Sequence, residues 1–126
     1  MNDQYLLDLL NKFSDAWNAH DVDELLSLVT HDCVFDTSAG PLPYGARHKG
    51  TDQLRAAFSS IWIAMPDARW EDCYHVVAGE RGFSEWTFRG TRSADGKLVE
   101  ARGVDLFKFR DGKISYKDTF RKTVIA

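Results

Sequence analysis

At Pro66 the hydrophobic period of this sequence switches from that of helices to that of strands, and few folds accommodate both halves. Residues 69–78, 82–92, 98–110 and 113–123 are rich in Val, Phe, Tyr, Trp and Thr. Gly79-Glu80-Arg81, Ala94-Asp95-Gly96 and Asp111-Gly112 separate them, and each is turn chemistry. Long strands joined by short turns predict an antiparallel meander. Such a sheet must bury one face, and the cover has to come from the N-terminal half.

That half reads as helices. Leu6, Leu10, Phe13 and Trp17 recur at helical spacing, with Asp8, Lys12 and Asn18 off the stripe. Asn18-Ala19-His20 ends this helix. Asp21, with Glu24 three residues on, is a capping-box variant that opens a short helix through Leu25, Leu26 and Val29. Cys33–Thr37 reads as a short strand. Gly40-Pro41 and Pro43 make Ser38–Lys49 a loop, with an extended piece near Arg47-His48. Thr51 is placed to cap a third helix carrying Leu54, Phe58 and Ile61, which Met65-Pro66 stops. The expected class is α+β, three N-terminal helices on a mostly antiparallel sheet, in one domain over residues 1–126.

Composition excludes several functions. The 126 residues are 44% hydrophobic and 28% charged, the balance of a globular domain rather than a disordered one. A net charge of −3 and no Lys/Arg run beyond two residues argue against nucleic acid. The N-terminus has no basic start followed by an apolar run, and no apolar run approaches the roughly 18 residues of a membrane span. A cytoplasmic protein without a membrane partner is expected. Cys33 and Cys73, without CxxC or His spacing, read as two buried free thiols. His20 and His31 read as exposed caps, His75 as a sheet-surface residue beside Tyr74 and Val76, and His48 as a loop residue near Tyr44. No HxxxH, His–Cys cluster, acidic metal spacing or Gly-rich phosphate loop occurs, so no metal and no cofactor is expected.

Four Trp, four Tyr and eight Phe make an aromatic share of 13%. So many flat apolar faces exceed the needs of a short chain's core, which predicts a pocket for a hydrophobic small molecule. Trp17, Phe58, Trp62, Trp86 and Phe88 are the candidate walls, joined by Phe13 and Phe107. Ser84, on the face of Trp86, and Thr119 are candidate polar contacts. Asp105 alternates with Gly103, Phe107 and Phe109, so whichever face holds those rings also holds a carboxylate.

Phe13-Ser-Asp-Ala-Trp-Asn-Ala-His-Asp21 and Arg102-Gly-Val-Asp-Leu-Phe-Lys-Phe-Arg-Asp-Gly-Lys-Ile114, in this order of elements, resemble the nuclear transport factor 2-like superfamily. The likeness leans to its SnoaL-like and ketosteroid-isomerase-like branch and covers nearly the whole chain. It implies a cone, a strongly curved sheet wrapped around the helices with a pocket open at one end. Members include isomerases, cyclases, hydrolases, dehydratases and non-catalytic binders, so activity must be matched by residue. The Asp of the isomerases' Ile-Asp-x-Phe-x-Phe strand matches Asp105. Phe13 stands where they carry Tyr, and Thr37 stands at their base, with Asp36 adjacent but on the opposite strand face. The catalytic Asp of SnoaL cyclases falls at Thr119 and their His at Asp105. Tyr116-Lys-Asp-Thr-Phe-Arg121 resembles the close of limonene-type epoxide hydrolases, whose Asp also falls at Thr119. Their Arg-x-Asp pair has no counterpart around Glu85-Trp86-Thr87.

Two turn geometries are open for the last hairpin. A two-residue type I′ turn at Asp111-Gly112 sets Asp105 opposite Asp118, a carboxylate dyad. A three-residue turn with a bulge at Gly112 sets Phe109 opposite Lys113 and Asp105 opposite Lys117, with Thr119 and Arg121 further along that face. The family's inward positions match the second, which is the expected register. Val104, Leu106, Ile114, Tyr116 and Phe120 then share the outer face, a patch that predicts a homodimer packed sheet to sheet. The expected function is cofactor-independent isomerase, cyclase or lyase chemistry on a hydrophobic carbonyl-bearing metabolite. Asp105 would be acid/base or oxyanion donor and Lys117 the electrostatic stabiliser. The alternative is a non-catalytic binder that keeps the pocket.

Overall fold

A computed structural model describes residues 2–125. The elements follow in the order α1 (Asp3–Asn18), α2 (Val22–Ser27), β1 (Val29–Asp36), β2 (Arg47–Lys49), α3 (Thr51–Ala64), β3 (Arg69–Ala78), β4 (Arg81–Thr91), β5 (Leu98–Arg110) and β6 (Lys113–Arg121). The class is α+β, as expected. Asn2 caps α1 by accepting from the Tyr5 N–H, and Leu6, Leu9, Leu10, Phe13, Ala16 and Trp17 form its buried face. Asp21 caps α2 by accepting from the Glu24 N–H. Val29, expected to extend α2, instead opens β1. Thr51 does not cap α3. Gly50, in the left-handed region at φ 86°, holds the N-cap position without a side-chain bond.

The six strands form one sheet in the order β2-β1-β6-β5-β4-β3. Neighbours are antiparallel except β1 and β6, which run parallel. The helices cover one face. Phe13, Trp17, Leu54 and Phe58 from α1 and α3 meet Cys33, Phe35, Phe107 and Ile114 from the sheet in the main core. Asn18 fastens the end of α1 to β3, accepting from Trp70 N at 2.8 Å and donating to Trp70 O at 2.9 Å.

Two bulges set which side chains enter the interior. In the last hairpin Asp111 (φ 54°) and Gly112 (φ 74°) make a two-residue turn, with Arg110 opposite Lys113 and Phe109 opposite Ile114. The expected three-residue turn is therefore not formed. Ser115 then bulges out of the ladder, and pairing resumes with Lys108 opposite Tyr116 and Asp105 opposite Thr119. The shift of one residue restores the expected inward set, while Lys117 pairs with Phe107 rather than with Asp105. It also turns Ile114 into the core, fully buried, and removes it from the outer face. In β3, Asp72 (φ 56°) marks a bulge between the pairs Glu71–Thr87 and Tyr74–Glu85.

Candidate functional site

Between α1, α3 and the inner face of β3–β6 lies a cavity of about 300 Å³, at the lower end of ligand pockets. Its polar floor is built by three strands. Asp105 on β5 and Lys117 on β6 lie diagonally across the ladder, 3.2 Å apart, with side chains 9% and 5% exposed. Thr119 stands between them, donating to Asp105 Oδ1 at 2.6 Å and accepting from Lys117 Nζ at 2.8 Å. Trp86 on β4 donates its indole N–H to Asp105 Oδ2 at 3.0 Å. Two hydrogen bonds and one ion pair therefore converge on the Asp105 carboxyl group and hold the ammonium beside it. That ammonium lies 4.3 Å from the Phe35 ring centroid and 5.2 Å from that of Trp17.

Gly103 makes room for this arrangement. A Cβ there would stand 2.4 and 2.5 Å from Cη2 and Cζ3 of Trp86, so the indole lies over bare backbone.

Of the residues singled out in the sequence, Phe13, Trp17, Ser84, Trp86, Phe88, Phe107 and Thr119 line the cavity with Asp105 and Lys117. Phe58 and Trp62 do not. Phe58 is fully buried against Phe13, Trp17 and Phe35. Trp62 stacks on His20 at 5.1 Å, where His20, at φ 55°, bonds through Nε2 to the Ala68 carbonyl at 2.7 Å. His20 is thus a packed joint rather than an exposed cap. His31 is exposed within β1, and His48 stacks on Phe35 without reaching the cavity.

Phe35, Trp70 and Cys73 were not expected in the lining, whereas Arg121 was expected on this face. Phe35 and Trp70 add aromatic wall, and Cys73, exposed rather than buried, adds a thiol. Arg121 reaches the cavity with its guanidinium 4.9 Å from the Phe88 centroid, and among the described residues no carboxylate pairs with it. The cavity therefore holds two cations against one carboxylate. Trp17 Nε1 is buried without a partner.

His75 departs most from expectation. Past the Asp72 bulge its ring turns toward α1, with Nδ1 2.6 Å from Ser84 Oγ and Nε2 3.4 Å from Ser14 Oγ. Burial holds its pKa below the ordinary 6.5.

The other carboxylates face away. Asp36 is fully buried and takes a bidentate bond from Arg47 at 2.9 Å, with the Tyr116 hydroxyl donating to it as well. The Arg47 bonds hold its pKa below the ordinary range, and burial pushes Tyr116 up to about 12. Thr37 lines the cavity, but its hydroxyl is tied to the backbone of Ala39 and Ala46. Asp118 pairs with Leu106 in the ladder, so no dyad with Asp105 forms. Among the described residues no group of three or more His, Cys, Asp or Glu side chains could hold a metal ion, and no helix is long and apolar enough to cross a membrane.

A helical layer, a mixed sheet and an interior cavity with a charged floor define a pocketed α+β domain. Residues 10–117 match the SnoaL-like domain, and the chain belongs to that family. Solved structures agree. An NTF2-like protein of unknown function from Mesorhizobium loti superposes with a TM-score of 0.77 at 30% identity, covering 96% of this chain and 93% of its own. A "putative polyketide cyclase" from Xanthomonas campestris pv. campestris gives 0.77 at 25% identity, covering 95% and 92%. A protein with a ketosteroid isomerase-like fold from Catenulispora acidiphila gives 0.75 at 16% identity, covering 89% and 83%, a likeness of fold alone. No curated protein matches the sequence.

Proposed function

We propose that the cavity binds a small hydrophobic carbonyl-bearing molecule and performs cofactor-independent acid–base chemistry on it, of the isomerase, cyclase or lyase type. The observation that carries this is the buried Asp105–Thr119–Lys117 network at the floor of an aromatic cavity. A cation held in an apolar enclosure stabilises charge developing on a carbonyl oxygen far better than it would in water. Lys117 supplies that charge, and Asp105, its partner and the one carboxylate among the described residues of the cavity lining, takes the proton removed beside the carbonyl. The unpaired Arg121 also favours a ligand rich in acceptors or carrying negative charge. The relative described as a "putative polyketide cyclase" is consistent with such a ligand.

A second reading, binding without catalysis, rests on Phe13 and Thr37, since neither offers the donor or base that the isomerases carry at those positions. One experiment separates them. Mass spectrometry of small molecules released from the purified protein identifies the ligand class, and deuterium uptake beside its carbonyl reports catalysis. Uptake that disappears in Lys117→Met supports the enzyme. Bound ligand without uptake supports the binder, and an empty protein that binds no flat ketone defeats both.

A further inference from the structure

One cluster in the cavity wall plays no part in the chemistry above. His75 on β3 and Ser84 on β4 are directly paired across the ladder, with Nδ1 and Oγ 2.6 Å apart. The other ring nitrogen, Nε2, faces Ser14 Oγ of α1 at 3.4 Å. Ser14 has one hydroxyl proton and donates it to the Leu10 carbonyl at 3.1 Å, so toward His75 it only accepts. That assigns the imidazole proton to Nε2 and leaves a lone pair on Nδ1, so the Ser84 hydroxyl donates to His75. Ser84 is buried and lines the cavity. With its proton committed, it presents lone pairs alone to whatever the cavity holds. A ligand group meeting Ser84 must be a donor.

We propose that Ser84 and His75 form a proton relay that accepts the proton of a hydroxyl on the ligand, a phenol or an enol. The ligand's proton passes to Ser84 Oγ as the Ser84 proton passes to His75 Nδ1. The products are a ligand oxyanion, an intact serine hydroxyl and an imidazolium. No bond to carbon changes and no co-reactant is needed. Ser84 makes the contact and His75 is a positioning residue that stores the proton. Burial disfavours the imidazolium, so the ring rests neutral with its Nδ1 lone pair free, and the transfer relies on the new ligand oxyanion and on Asp15 to offset that cost. The groups around it are Ser14 and Asp15 of α1, Cys73 on its own strand and Ser84, with Asp105 opposite Ser84 in the ladder. Asp15 is the carboxylate whose field favours the imidazolium. The relay rests on the reading of the cavity as a ligand site.

The test uses 4-nitrophenol, whose phenol and phenolate forms absorb differently, and 4-nitroanisole, which lacks the proton. Wild-type protein should hold 4-nitrophenol with a phenolate-to-phenol ratio above that of the free probe at the same pH, an excess to which Lys117 and Arg121 also contribute. The excess should fade in acid as His75 takes its proton from solvent instead. Ser84→Ala and His75→Gln should both lower the ratio severalfold, to the level that Lys117 and Arg121 sustain, while still binding 4-nitroanisole. A ratio that is undiminished in both variants overturns the relay. So does binding of both probes by wild type with no excess, which leaves the cavity reading standing. Binding of neither probe removes the cavity reading and the relay together. Nitrogen-15 NMR of the unmodified protein needs no variant: Nε2–H on His75 supports the relay, and Nδ1–H refutes it.

Discussion

Replacing Lys117 by Met leaves the Asp105 carboxylate buried without its cation, still bonded by Thr119 at 2.6 Å and Trp86 at 3.0 Å. Breaking a buried pair costs about 3–5 kcal/mol, and the two surviving donors put the expectation near 3 kcal/mol. Asp105→Leu is worse. It strands the ammonium and the Trp86 N–H together, for about 4 kcal/mol or more. The double variant Asp105→Leu/Lys117→Met removes both charges and strands the indole N–H, while the half-buried Thr119 hydroxyl loses both partners but keeps access to the cavity, for about 2 kcal/mol. The double should therefore be more stable than Lys117→Met alone, with a coupling of about 5 kcal/mol. Urea unfolding followed by tryptophan fluorescence reads this directly. With a slope of about 2 kcal/mol per molar urea, 3 kcal/mol moves the midpoint by about 1.5 M. Singles that add to within about 0.5 kcal/mol of the double, or a double less stable than Lys117→Met, would show that the two side chains are not partners.

Gly103→Ala drives a methyl into the Trp86 ring and should cost about 1–3 kcal/mol, with a lowered Tm and weakened binding of any cavity ligand; an unchanged Tm would refute the contact. Asp36 has a lowered pKa when folded, so its contribution is complete above the unfolded value of 3.8 and disappears as pH falls through the lower folded value. Acid unfolding of Arg47→Met should accordingly be less steep in that window; an identical acid limb would exclude Asp36 as a contributor. Cys73 should react with a thiol reagent in the native protein, whereas Cys33, buried and pushed up to about 12, should react only on unfolding. Two thiols reacting at one rate before unfolding would contradict this. On the outer face Val104, Leu106, Tyr116 and Phe120 remain after Ile114 is withdrawn, with Leu106 and Phe120 exposed. We propose that a second copy packs there. Light scattering should give a dimer mass that Phe120→Glu halves, and a monomeric wild type would defeat the proposal.

Strand alternation was legible without coordinates because side chains on a strand alternate with a period of two. It put Asp105, Phe107, Lys117 and Thr119 on one side, and the floor of the cavity is built from them. Helix stripes were legible for the same kind of reason, and so were the positions of the turns, since glycine and aspartate tolerate the backbone that tight turns demand, but not the length of the last one. What alternation leaves open is where the count slips. The Ser115 bulge has no local signature. It brings Ile114 into a core built by α1, α2 and α3, and such contacts are absent from any window of sequence around residue 115. The Asp72 bulge acts likewise, turning His75 from the surface reading toward Ser14, 61 residues away in the chain. Periodicity likewise marked Phe58 and Trp62 as apolar but not what each would touch. Burial against other rings and exposure to a cavity are decided by the neighbours on every side, and those belong to the tertiary structure.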